Sequence, residues 1–175
     1  MNNMNLASMT KESVLNDIET SKKKLEESIT KAKLIIKQHG MDAWKTSVID
    51  ASQIQRDNLR DVYMYLENVA KIEKAIAQGM VVSDDDIKII NSLDKSATNQ
   101  IQQIKTVKLT NELKELITFS VDNLFEYILN NDELKEYEIL PIMEDGIIYF
   151  VKTIILFNPE AGNFLKDAYS KYINM

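Results

Sequence analysis

Two long apolar stripes, separated by a single glycine, constrain this chain more than any other feature. In the first, Leu15, Ile18, Lys22, Leu25, Ile29, Ala32 and Ile36 recur at alternating spacings of three and four. In the second, the same rhythm runs through Val48, Ala51, Gln55, Asn58, Val62, Tyr65, Val69, Ile72 and Ile76. Such spacing keeps one face of an α-helix apolar and is the pattern of helices that pack along their length. Gly40 lies between the stripes, where a helix-terminating glycine belongs. The pattern predicts a first helix over about Lys11 to Gln38, capped by Thr10, and a second from Asp42 to just before Gly79.

The first helix should measure roughly 42 Å and the second roughly 55 Å at 1.5 Å per residue. A compact globule of this length has a radius of gyration of only about 16 Å. Either the second helix breaks near Gln53–Asn58, or the molecule is elongated. Gln55 and Asn58 place two polar side chains in an otherwise apolar seam, a device that sets register between helices.

Further helices follow from capping signals. Ser83 followed by Asp84, Asp85 and Asp86 is a capping serine with acids at the positive end of the helix dipole. Ile87, Ile90, Leu93, Ala97, Ile101 and Ile104 continue an apolar face from it. Thr110 caps the next helix, with Leu113, Leu116, Ile117, Leu124, Phe125 and Ile128 inward. Asn130-Asn131-Asp132 ends that helix and starts a short one over Glu133–Glu138. Asn158-Pro159-Glu160 opens the last helix with proline at its first position. Between these lies Ile147–Phe157, apolar on every side, which reads as a helix buried all round. The alternative there is a small β-hairpin near 137–154, turning at Glu144-Asp145-Gly146.

The expected fold is therefore all-α: an elongated bundle of about five to six helices with a long N-terminal antiparallel pair. The 175 residues read as one domain. Its natural subdivision is a helical hairpin over 1–79 and an acidic bundle over 80–175. Met80–Ser83 is the seam.

Composition removes most chemistry. There is one histidine, no cysteine and only four glycines and two prolines. Without cysteine there is no disulfide, thiolate zinc site or thiol nucleophile. Glu-x-x-His pairs for a di-iron centre are absent, and His39 reads as a cationic residue at a helix C-terminus. Asp84–Asp86 is followed by no EF-hand spacing. No Gly-x-Ser-x-Gly, Walker or dinucleotide motif occurs. No cofactor, metal site or catalytic residue is expected.

One carboxylate pattern stands apart. Glu112-Leu-Lys-Glu115 and Glu133-Leu-Lys-Glu136 resemble the paired Glu-x-x-Glu and Glu-x-x-Asp elements of the all-α nucleotide pyrophosphohydrolases, whose acids hold magnesium. The second string closes on Glu136 instead of aspartate and sits among turn signals. The basic residues expected around phosphates are missing nearby. Glu and Lys three or four apart are common in solvated helices, so a magnesium-dependent hydrolase is the third reading of function.

Charge and residue usage point elsewhere. The net charge of −6 divides unevenly. Residues 1–79 carry 12 Lys/Arg against 11 Asp/Glu, and residues 80–175 carry 9 against 16. Over 110–145 ten acids face Lys114 and Lys135 alone, which disfavours phosphate backbones and suits a basic protein. The 19 lysines against 2 arginines, with 15 asparagines and 22 isoleucines, use AT-rich codons and point to an AT-rich genome: a low-GC bacterium, a phage of one, or a protist.

Met1–Thr10 is polar and has no apolar h-region, so no signal peptide is read, and Met1–Asn5 is a start expected to fray. Ile147–Phe157 is too short to span a membrane, which needs about 20 apolar residues. The expected setting is cytoplasmic, of a host cell or within a virion, with no membrane and no sequence-specific nucleic acid as partner.

Trp44, Gln55, Asn58, Tyr63 and Tyr65 are the candidate interface residues, because aromatic and polar anchors crowd this helix on more than one face. The leading reading is a non-catalytic assembly protein, a subunit of a homo-oligomer or multi-protein complex, with a phage connector or ring component as the specific candidate. The second is an acidic binding module, such as a regulator, immunity protein or inhibitor.

Overall fold

A computed structural model describes residues 5–175. It is helical throughout, with no strand among the described residues. A 3-10 turn at Leu6–Ser8 precedes α1 (Lys11–His39), α2 (Met41–Ala77), α3 (Asp84–Asn91), α4 (Lys95–Thr106), α5 (Asn111–Leu129), α6 (Asp132–Glu136), α7 (Ile139–Phe157) and α8 (Pro159–Ser170). The arrangement is an elongated bundle, as expected, but with eight helices rather than five or six. Of the start expected to fray, Met1–Met4 lie outside the described residues. Asn5 caps the 3-10 turn through Ala7 N, and Leu6 is buried.

Two differences account for the count and for the ambiguous segment. The apolar run from Ser83 to Ile104 is two helices. Asp94 accepts a hydrogen bond from Ala97 N at 2.7 Å and starts α4 anew after α3 ends at Asn91. The hairpin alternative near 137–154 is incorrect, because α7 is helical from end to end. Pro141 falls in its first turn, where its missing N–H would have had no intrahelical partner. Gly146 lies in mid-helix facing α2, and a Cβ there would stand 3.4 Å from the Gln55 side-chain nitrogen. Asp145-Gly146 is thus a place of close helix approach, not a turn.

Contacts between helices distant in sequence fix the helix directions. Trp44 meets Tyr137, Arg56 meets Asp145, and Tyr63 meets Tyr149, so α2 and α7 run parallel. Lys114 meets Phe164 and Asp122 meets Tyr172, so α5 and α8 are parallel too. Glu26 meets Tyr127 and Lys33 pairs with Glu133, which lays α1 along α5 in the same direction. The bundle therefore sets α2 and α7 against α1, α5 and α8. Its core joins Leu25, Ile29, Trp44, Ile117, Phe125, Ile147, Val151 and Leu165, all buried.

Short helices close the far end. Tyr65 OH donates to Ile89 O at 3.2 Å, and Lys105 pairs with Glu73, so α3 and α4 pack beside the last third of α2. Asn158 joins three elements. Its Oδ1 accepts from Ala161 N to cap α8, and its Nδ2 donates to Ile104 O at 2.9 Å and Val107 O at 3.0 Å. Both acceptors are carbonyls at the end of α4, where intrahelical donors run out; Ile104 O otherwise has only a long bond from Val107 N, at 3.4 Å.

The second helix does not break near Gln53–Asn58. α2 continues for 37 residues, about 55 Å, and the elongated alternative is the one realised. Its true inward face is Trp44, Val48, Gln55, Leu59, Tyr63, Leu66, Val69 and Ile72, all buried or half-buried. That set is not one straight stripe: Tyr63 and Ile72 point to opposite sides of the helix, so the buried side shifts along α2 from α7, at Tyr63, toward α4, at Glu73.

Candidate protein interface

The five residues expected at an interface divide between inside and outside. Trp44 is buried, and its Nε1 donates to the Tyr137 carbonyl at 2.9 Å, so the indole locks the start of α2 to the α6–α7 junction. Tyr63 is half-buried with its ring 5.9 Å from that of Tyr149, and Lys152 lies over both rings. Burial raises the pKa of its phenol. Gln55 is half-buried against Gly146. Asn58 is exposed, and so is Tyr65 at 39%, although its hydroxyl is held by Ile89 O and Ser92. Gln55 and Asn58 thus do not share a layer within the chain.

The face carrying Asn58 is the unpartnered one. Ala51, Ile54, Asn58, Val62 and Tyr65 follow one another at spacings of three and four along one edge of α2. Ile54 is 62% exposed and Val62 58%. Further along the same edge, Val69 and Ile72 are buried. From Ala51 to Val62, about three turns, no helix among the described residues covers this edge, and at Tyr65 α3 reaches it. Ile49 and Met64 add exposed apolar surface on other sides of α2. Large apolar surfaces of this kind mark interaction sites in soluble proteins.

Next to this edge, α1 and α2 leave a groove of about 390 Å³. Its floor is Leu25, Val48, Leu124, Ile139, Ile142 and Met143. The walls carry small side chains, Ser21 and Ser28 from α1 and Ser47 and Ala51 from α2, with Lys24 and Lys31 on the rim. Small wall residues keep the groove open while Trp44 and Ile35 close its hairpin end.

The carboxylates do not converge. Glu112 and Glu115 are in the first turns of α5 and Glu133 and Glu136 in α6, beyond the other end of that helix. α5 spans about 28 Å, so the two strings lie at its opposite ends. Among the described residues, no group of three or more His, Asp or Glu side chains is placed to hold a metal ion. Part of the acidic surface over 110–145 is engaged internally, Glu133 with Lys33 and Asp145 with Arg56. No helix among the described residues is long and apolar enough to cross a membrane. Compared with known protein families, characterised proteins and solved structures, the chain matches none.

Proposed function

We propose that this chain is a non-catalytic subunit of a larger protein assembly. The observation that carries this reading is the uncovered stripe Ala51–Ile54–Asn58–Val62, which a neighbouring helix would complete. Asn58 in its middle suits a register-setting polar contact. Within this class a phage connector or ring component is the specific candidate, and its setting is the host cytoplasm or the virion. An AT-rich residue usage and an acidic surface that disfavours phosphate backbones support that choice. Mass in solution over a range of concentrations, with the chain also used as bait, tests the general claim. A strict monomer that retains no partner refutes it.

The second reading, an acidic module that masks a basic protein, rests on the concentration of acids in α5 and α6. Several of them, among them Glu126, Asp132 and Glu133, line one shallow depression with Lys22 and Tyr127. Salt-sensitive one-to-one capture of a single basic protein favours it over an assembly of copies.

A further inference from the structure

The tip of α2 carries a second apolar feature, distinct from the stripe. Gly79 takes φ +73° and turns the chain out of the helix. Met80 and Val81 then project from the end of the molecule, 59% and 99% exposed. Ile76 and Ile87 flank them, also exposed. Nothing in the fold of a single chain requires this apolar knob: a polar residue at Val81 would cost no packing. Directly behind it come Asp84, Asp85 and Asp86.

The groove between α1 and α2 has the complementary properties. It is apolar inside, walled by small residues, and rimmed by Lys24 and Lys31. An apolar knob followed by acids fits an apolar groove with a basic rim, in shape order and in charge. We propose that Met80–Val81 of one copy docks in the groove of a second copy, with Asp84–Asp86 set against the Lys24–Lys31 rim. This rests on the assembly reading and gives it a geometry.

Knob and groove lie at opposite ends of α2. From Val48 to Ala77 the helix climbs about 44 Å. The two surfaces differ, so the contact is heterologous. It repeats head to tail and builds a ring if the rotation closes and a filament if it does not.

Paired variants test this on the full chain. Val81→Asp removes the knob at a site with no packing to lose, and Ser47→Phe fills the groove from an exposed position on its wall outside the stripe. Each variant alone should keep its helical circular dichroism and sediment as a monomer where the native protein forms larger species. Mixed together they should form a one-to-one dimer and nothing larger, because only one intact knob and one intact groove remain to meet. Salt raised from about 0.05 to 0.5 M should weaken the native association at least tenfold. Native protein that stays monomeric to about 1 mM overturns the self-docking and leaves the groove to a foreign helix or a small apolar molecule. The assembly reading then stands or falls on partner capture alone. Native protein that associates while both variants associate equally well also overturns the docking, and points to the Ile54–Val62 edge instead.

Discussion

Two glycines lie inside helices, and the same substitution at each should have opposite effects. At Gly146 a new Cβ would stand 3.4 Å from the end of the flexible Gln55 side chain, with nothing else close. Alanine there should recover the helix propensity that glycine forfeits, about 1 kcal/mol. At Gly162 a Cβ would stand 2.5 Å from Ile155 Cγ1 and 2.6 Å from both Ile155 Cα and N. Carbon atoms in contact prefer about 3.5–4.0 Å, so α7 and α8 would have to part by about 1 Å. Backbone cannot swing aside as a side chain can, and Phe125 and Tyr169 pack around this hairpin. Overpacking of this kind costs about 1–3 kcal/mol, and the propensity gain offsets at most about 1 of it. Because the clash is with backbone, the upper part of that range, about 2–3 kcal/mol, applies, so Gly162→Ala should lose about 1–2 kcal/mol net while Gly146→Ala gains about 1. For a domain of this size each kcal/mol moves the melting temperature by about 2–4 °C. Thermal and urea unfolding followed by helical circular dichroism measures both, with Trp44 fluorescence as a second probe. A Gly162→Ala protein as stable as the native one would refute the close α7–α8 packing and the reasoning built on it.

Other outcomes follow from the same geometry. Trp44→Phe leaves the Tyr137 carbonyl without its donor and a gap in the core, and should cost about 1–3 kcal/mol in urea unfolding. Arg56→Met removes an ion pair whose arginine is mostly exposed and whose Asp145 is only 24% exposed, so stability should fall by about 1 kcal/mol or less, and by less still in high salt. Tyr172 OH donates to Asp122 at 2.6 Å, and that bond, with burial, pushes its pKa up to about 12; burial alone does the same for Tyr169. Both phenols must stay protonated in the fold, so their contribution is complete below pH 10 and is lost as pH rises toward 12. Absorbance titration should show these two of the seven tyrosines ionising late, and Tyr172→Phe should flatten part of the alkaline loss of stability. Glu138 holds φ +56° between α6 and α7, a conformation that costs a non-glycine residue about 1–2 kcal/mol. Glu138→Gly should therefore raise the urea midpoint or leave it unchanged, and a clear drop would contradict the strain.

Local chemistry made much of the fold legible. Thr10, Ser83, Thr110, Asn131 and Asn158 all accept the capping hydrogen bonds expected of them, because an N-cap is decided within four residues. The break at Asp94 was equally local, but the apolar rhythm from Ile87 to Ile104 runs across it without a phase change and hides it. Periodicity also misplaced part of α2. The heptad puts Asn58 and Val62 in the seam, but both are exposed and Tyr63, one position on, packs on Tyr149 of α7. The buried side of α2 shifts as its neighbours change from α7 to α3 and α4, which no repeat within α2 records. The role of Trp44 was not legible. Its partner is 93 positions away, and a large aromatic in a helix signals an anchor without saying whether the anchor lies within the chain or between chains. The knob at Met80–Val81 follows a helix end that the sequence marks clearly, yet its exposure depends on what α3 and α4 leave uncovered.

The parallel pairing of α2 with α7 also has a consequence in time. The most extensive helix contact in the molecule joins segments far apart in sequence, and 80 positions separate Ala77 from Phe157. At about 5–20 residues per second of synthesis, α2 is complete about 4–16 s before α7 is. Through that interval the first two helices can meet each other, but the inner side of α2 waits bare for a partner still being made. Burial of that side is thus scheduled by the ribosome, and the nascent hairpin is the stage at which this chain most needs a chaperone or a low local concentration of its own kind.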